Sequence, residues 1–245
     1  MTQSYKHWKL DVDQDHIMWL TFDRADAPVN TINREVVEEF AEILDVIVND
    51  ANVKGVVIES GKSTGFIAGA DIEQFTKLKT HDEAIDLIRQ AQLLLDKLER
   101  LPVSTVAMIN GFCLGGGMEL SLACTYRIAE NGDKTKLGLP EVNLGIQPGW
   151  GGTIRLPRLI GAIKAMPLML AGRLLNAKKA YKLGMVDAAV PERQLRRAAR
   201  YFVLNKPKRR KLSFVDQYSN HSLVRPWLAK KFTSEVAKKV RKDHY

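Results

Sequence analysis

Two glutamates in this chain stand beside turns rather than on the polar face of a long helix. Glu119 follows Gly115-Gly116-Gly117, and Glu141 ends Gly138-Leu139-Pro140-Glu141. One glutamate in such a place is most often a solvated side chain or a helix-start charge. A pair of them, next to bare backbone amides, makes up the parts needed to add or remove water across an activated double bond. One carboxylate takes a proton and orients water, the other gives a proton, and amides hold the oxygen that becomes negative. By itself the glycine run reads as a tight turn. Between a strand and a helix it also lets a ligand approach amides at a helix N-terminus, where free N–H groups and the dipole favour negative charge. A phosphate loop is excluded because no Lys-Ser/Thr follows. The G-x-G-x-x-G dinucleotide pattern fails because Glu119 stands three residues after Gly116.

These residues need elements to carry them. Trp8–Val12 and Ile17–Phe22 are β-rich runs around an Asp13-Gln14-Asp15 turn, a hairpin pattern. Asn33 is the expected N-cap of a helix through Asn49, with Val36, Val37, Phe40, Ile43, Leu44 and Ile47 at helical spacing. Gly55–Ser60 is a short buried-type strand. A helix is expected from His81 to Arg100, stopped by Pro102. Ser104–Ile109 is a strand running into the glycine turn. A helix from Met118 to Cys124 and a strand around Tyr126–Ala129 follow. Strands alternating with helices indicate an α/β fold with much parallel pairing. The stretch from Gly151 to Lys182 reads as helical, with Pro167 expected to kink or split it. Another helix starts near Glu192, is interrupted at Lys206–Lys211, and helical pattern resumes around Pro226–Val240.

The chain has 245 residues, 45% hydrophobic and 27% charged, which is ordinary globular composition and excludes a mainly disordered chain. No apolar run approaches the roughly eighteen residues of a membrane span, and the N-terminus has no signal-like apolar block. The net charge of +9 is unevenly divided. Residues from Glu192 onward hold 16 of the 37 Lys/Arg and 4 of the 28 Asp/Glu, so a near-neutral body carries a basic C-terminal extension. The expected division is a core of 1–192 and an extension of 193–245.

Cys113 and Cys124 lack disulfide or zinc spacing and read as buried apolar side chains in a cytosolic, reducing protein. The five histidines show no metal spacing, so no metal is expected. The basic tail could in principle bind RNA or an anionic membrane. It lacks interleaved aromatics, and no nucleic-acid partner is expected.

Ala68-Gly69-Ala70-Asp71, Asn110-Gly111, Leu114 through Leu120, Leu139-Pro140-Glu141, Leu144-Gly145 and Pro148 through Gly152 together resemble the enoyl-CoA hydratase (crotonase) family, in order and spacing, over roughly residues 8 to 192. Asn30-Thr31-Ile32 and the tail from Lys206-Pro207-Lys208-Arg209-Arg210 to Lys242-Asp243-His244-Tyr245 are similar to the hydratase part of the multifunctional fatty-acid-oxidation α subunits. The resemblance implies a crotonase-like (ClpP/crotonase) superhelix of repeated strand–strand–helix turns with C-terminal helices. It implies hydration of 2-trans-enoyl-CoA in fatty acid β-oxidation, in the cytoplasm. Isomerisation of 3-enoyl- to 2-enoyl-CoA on the same site is the nearest alternative, and a non-catalytic RNA-binding or scaffold protein the alternative from another class. Glu119 matches the carboxylate that activates water and Glu141 the one that protonates C2. Ala70 and Gly116 match the two amides that hold the thioester oxygen. Ala27, Ala68, Gly69, Asp71, Ile72 and Gly115 match positions lining the CoA thioester, although Asp26-Ala27-Pro28 departs from the usual Arg-Pro spelling. Asp71 is also expected to cap a short helix starting at Ile72, and Trp150 to act in packing. No cofactor is implied beyond the substrate's own coenzyme A, and NAD only where a 3-hydroxyacyl-CoA dehydrogenase domain follows. Partners implied are a thiolase β subunit or trimeric self-association.

Overall fold

The computed structural model describes residues 5–77 and 79–238, with the side chains of 75–77 outside that description. The tail ending in Lys242-Asp243-His244-Tyr245, and the end of the helical pattern at Val240, lie outside the described residues. The chain begins with β1 (Trp8–Val12), β2 (Ile17–Phe22), α1 (Arg34–Asn49), β3 (Gly55–Ser60), β4 (Gly65–Ile67), α2 (Ile72–Lys77) and α3 (His81–Glu99). It continues with β5 (Ser104–Ile109), β6 (Phe112–Leu114), α4 (Gly116–Ala123), β7 (Tyr126–Glu130) and β8 (Lys136–Gly138). A 3-10 turn at Glu141–Leu144 leads into α5 (Gly152–Ile160), α6 (Ala162–Leu170) and α7 (Ala177–Leu183). Then come β9 (Ala188–Val190), α8 (Glu192–Asn205), α9 (Phe214–Ser219) and α10 (Arg225–Ala237).

The strands divide between two sheets. The larger has the order β1-β2-β3-β5-β7-β9, and only the β1–β2 hairpin is antiparallel. The smaller is β4-β6-β8, all parallel. From β3 to β8, successive turns of the chain place one strand in each sheet, which winds the chain into a superhelix.

Alternation along β2 explains how the large sheet is covered. Met18, Leu20 and Phe22 enter the main core with α1 and α3, while Ile17 and Trp19 face the other way. That second face is closed by Leu195, Ala199 and Val203 of α8, packed on Val57, Val106 and Ile128. α8 lies so close that a side chain at Gly55 would overlap Val203. Packing of the body therefore runs past residue 192, because a sheet buried on both faces needs its outer cover.

Local chemistry sets the helix starts. The Asn33 side chain accepts from the Val36 amide at 2.8 Å, and Thr80 and Glu83 form a reciprocal capping box for α3. The stretch from Gly151 to Lys182 breaks at Gly161 and again between Leu170 and Ala177, and it is not split at Pro167. Gly161 has φ +87°, a conformation that ends α5, whereas Pro167 stays inside α6.

Candidate active site

The parallel pairing of β4, β6 and β8 brings three chain exits to one edge of the small sheet. β4 leads into Ala68–Asp71, β6 into Gly115 and the start of α4, and β8 into Leu139-Pro140-Glu141. Since β6 is central, the glycine turn lies between the other two. A Cβ added to Gly115 would stand 3.7 Å from the Gly69 Cα and 3.6 Å from Glu141 Oε1. Gly69 and Gly115 both have positive φ, of 116° and 52°, which a side chain would strain.

Ala70 is held by its neighbours on both sides. The Ile32 amide donates to the Gly69 carbonyl at 2.9 Å and the Asp71 amide to the Ile32 carbonyl at 2.8 Å. This leaves the Ala70 amide unused. The Gly116 amide, first in α4, has no intrahelical acceptor. Among the described residues neither amide meets a hydrogen-bond acceptor.

Glu119 lies in the first turn of α4 and is 2% exposed. Its Oε1 accepts from the amides of Trp150 and Gly152, each at 2.8 Å. Burial pushes its carboxyl up to about 7. The charge of Glu141 adds to the rise, while the two amides and the Arg155 guanidinium oppose it. Glu141 is 8% exposed, and burial raises its carboxyl too, opposed by its own amide. Its Oε2 is buried without a hydrogen-bond partner among the described residues. Two buried acids, one acting electrostatically on the other, thus lie near two open amides.

The remaining candidates sort by what they touch. Ala68 and Gly69 hydrogen-bond through their backbone to Asn30 and Ile32, so the loop containing Ala27 runs alongside the Ala70 exit. Asp71 accepts from Arg24 Nη2 at 2.6 Å and from the Glu73 amide at 3.1 Å. It thus ties the start of α2 to that loop. Ile72 is exposed and Trp150 buried, its ring packed on Gly116. The thiols of Cys113 and Cys124 are buried and pushed up to about 12. Among the described residues no group of three His, Cys, Asp or Glu is placed to hold a metal ion. No helix there is long and apolar enough to cross a membrane.

Sequence reasoning missed Arg24, Gln92 and Arg155. Each is a long side chain acting on a segment distant along the chain. The only local trace is an arginine inside the helix that follows Pro148-Gly149-Trp150-Gly151-Gly152.

The model of the Enoyl-CoA hydratase/isomerase family matches residues 13–236. A protein named fatty acid oxidation complex subunit alpha from Aliivibrio fischeri is 44% identical over 95% of this chain and 34% of its own length. One of the same name from Shewanella halifaxensis is 45% identical over 79% of this chain and 27% of its own. The chain spans about a third of the length of the first of these relatives. Among solved structures, an enoyl-CoA hydratase from Bacillus anthracis superposes with TM-score 0.75 at 29% identity, covering 97% of this chain and 93% of that one. One from Geobacillus kaustophilus gives 0.77 at 30% identity, covering 82% and 74%. The two sheets wound strand by strand, the family match across most of the chain and these superpositions agree: the chain belongs to the enoyl-CoA hydratase/isomerase family and has the crotonase fold.

Proposed function

We propose that this chain hydrates 2-trans-enoyl-CoA to 3-hydroxyacyl-CoA at the edge of the small sheet. The observation that carries the reading is the pair of open amides, Ala70 and Gly116, beside two buried carboxyls. In this reading the thioester oxygen accepts from both amides. Water attacks C3 as Glu119 takes its proton, and the double-bond electrons move onto the thioester oxygen as an enolate. Glu141 then gives its proton to C2 and the enolate collapses. Water has been added, with Glu119 left protonated and Glu141 ionised until protons exchange with solvent. Removing one oxyanion donor costs about 2.7–4 kcal/mol in comparable sites.

Burial raises both carboxyls, and the hydrogen bonds favour Glu119 as the base. Two amides converge on its Oε1, whereas Glu141 Oε2 meets no donor that would hold a negative charge. Ala27, Ala68, Gly69, Asp71, Ile72 and Gly115 line the path of the CoA arm. In β-oxidation the chain would act as the hydratase part of a longer α subunit. NAD would enter only through a dehydrogenase domain, and a thiolase subunit is the partner such an assembly implies.

The test is hydration followed by loss of enoyl-CoA absorbance. E119Q and E141Q should each lower kcat about 10²–10⁴-fold with KM nearly unchanged. The wild-type rate should fall as pH drops below about 7, where Glu119 protonates. Near-normal hydration by both variants overturns the assignment. Moving a double bond needs one carboxylate, so 3-enoyl-CoA isomerisation that survives in E119Q would assign that second reaction to Glu141.

A further inference from the structure

Gln92, Asp96 and Glu99 recur on one face of α3 at intervals of four and three. Gln92 reaches the loop before α5, and Asp96 and Glu99 reach Arg155 in the first turn of α5. Gln92 Nε2 donates to the Gly149 carbonyl at 2.7 Å. Arg155 Nη2 donates to Asp96 Oδ1 at 2.6 Å and its Nε to Glu99 Oε2 at 2.8 Å. The remaining arm of this buried guanidinium, Nη1, donates to the Trp150 carbonyl at 2.9 Å. It lies against Gly151, where any Cβ would overlap it.

The opposite side of the same peptide segment faces Glu119. Trp150 therefore has its carbonyl on Arg155 and its amide on the glutamate, and Gly152 adds the second amide. An ion pair that merely tied α5 to α3 would need only Nε and Nη2. The third contact connects that tie to the catalytic cleft. We propose that Arg155, clamped by α3, is a positioning residue that holds the Trp150 carbonyl, between the two flanking peptides, so that the amides of Trp150 and Gly152 stay on Glu119.

The inference rests on the reading of Glu119 as the base. The charged groups acting on Glu119 are Glu141 from the 3-10 turn and Arg155 from α5. Asp96 and Glu99 of α3 are engaged by Arg155. β4 and β6 contribute no ionisable side chain except the buried Cys113 thiol. Arg127 of β7 is turned to the far end of α4, against Asp187. Losing Arg155 removes a cation and loosens two donors, and both changes favour the protonated carboxyl. The acidic limb of activity must then move to higher pH.

The test compares R155Q, R155K and the double variant D96N/E99Q across pH, with melting temperature as a check on folding. R155Q should lower kcat about tenfold or more with KM changed by less than about threefold, and raise the acidic limb by about one pH unit. R155K, which keeps the charge without the planar fork, should return the limb most of the way toward wild type and recover part of kcat. D96N/E99Q keeps the guanidinium but weakens its clamp and should shift the limb in the same direction by less. A folded R155Q with an unmoved limb and kcat within about twofold overturns the proposal. If R155Q does not fold, the double variant decides, since a shifted limb supports the clamp and a wild-type limb overturns it. E119Q run alongside separates the two ideas. Full hydration by E119Q removes the base reading, whereas an inactive E119Q with an unmoved R155Q limb removes only the role of Arg155.

Discussion

The two ends of α4 carry buried charges under opposite conditions. At its C-terminal end the Arg127 guanidinium is fully buried, and its five N–H groups find the carbonyls of Met185, Ser121, Cys124 and Thr125 and the Asp187 carboxylate. A cation there also complements the negative end of the helix dipole. At the N-terminal end the Gly116 amide has no acceptor among the described residues, and Glu119 is desolvated with the charge of another acid acting on it. One end is closed and the other is left open. A buried charge with every partner in place supports the scaffold, while in the proposed reading the donors without acceptors and the acids lifted toward neutrality are where a substrate would complete the structure.

Neutralising the buried charge at each end should therefore act with opposite sign on stability. R127M leaves Asp187 without its partner and should cost about 3–5 kcal/mol in urea unfolding, with kcat per folded molecule retained. A collapse of kcat at unchanged stability would break the contrast. E119Q should instead stabilise. The carboxyl titrates higher in the fold, at about 7, than its ordinary 4.5, so its favourable contribution is complete below the lower value and lost as pH rises through the upper one. Glutamine avoids that loss. E119Q should gain up to about 3 kcal/mol over wild type well above pH 7 and almost nothing in acid, as read from unfolding midpoints at both pH values. G116A should have the smallest effect. Its Cβ would overlap the Trp150 ring, an overpacking cost of about 1–3 kcal/mol. Because Trp150 also donates to Glu119, kcat should fall with stability in that variant.

What could be read from the sequence was local. The Asn33 cap, the His81 helix and the hairpin around Asp13 depend on neighbours a few residues away, and they stand where spacing puts them. The glycine turn and both glutamates were legible for the same reason, and family spacing supplied Ala70. Three-residue strands were not legible, because β4, β6 and β8 are too short to show a period of two. Pro167 does not split its helix. It costs a helix one donor, whereas the positive φ of Gly161 ends a helix outright. Arg155 was invisible because its partners Asp96 and Glu99 lie more than fifty residues away. Local pattern cannot report a contact that folding alone creates.

The brevity of the small sheet has a consequence for how the chain can vary. A strand advances about 3.3 Å per residue, and each step reverses the side on which side chains stand. With only three residues per strand, and one register shift already present between Gly65 and Ile67 of β4, β6 has little room for a further change in length. One residue inserted there would carry the Gly116 donor a full step past Ala70 and turn the neighbouring side chains over. On the proposed reaction, the two donors and both acids would depend on the register of nine residues.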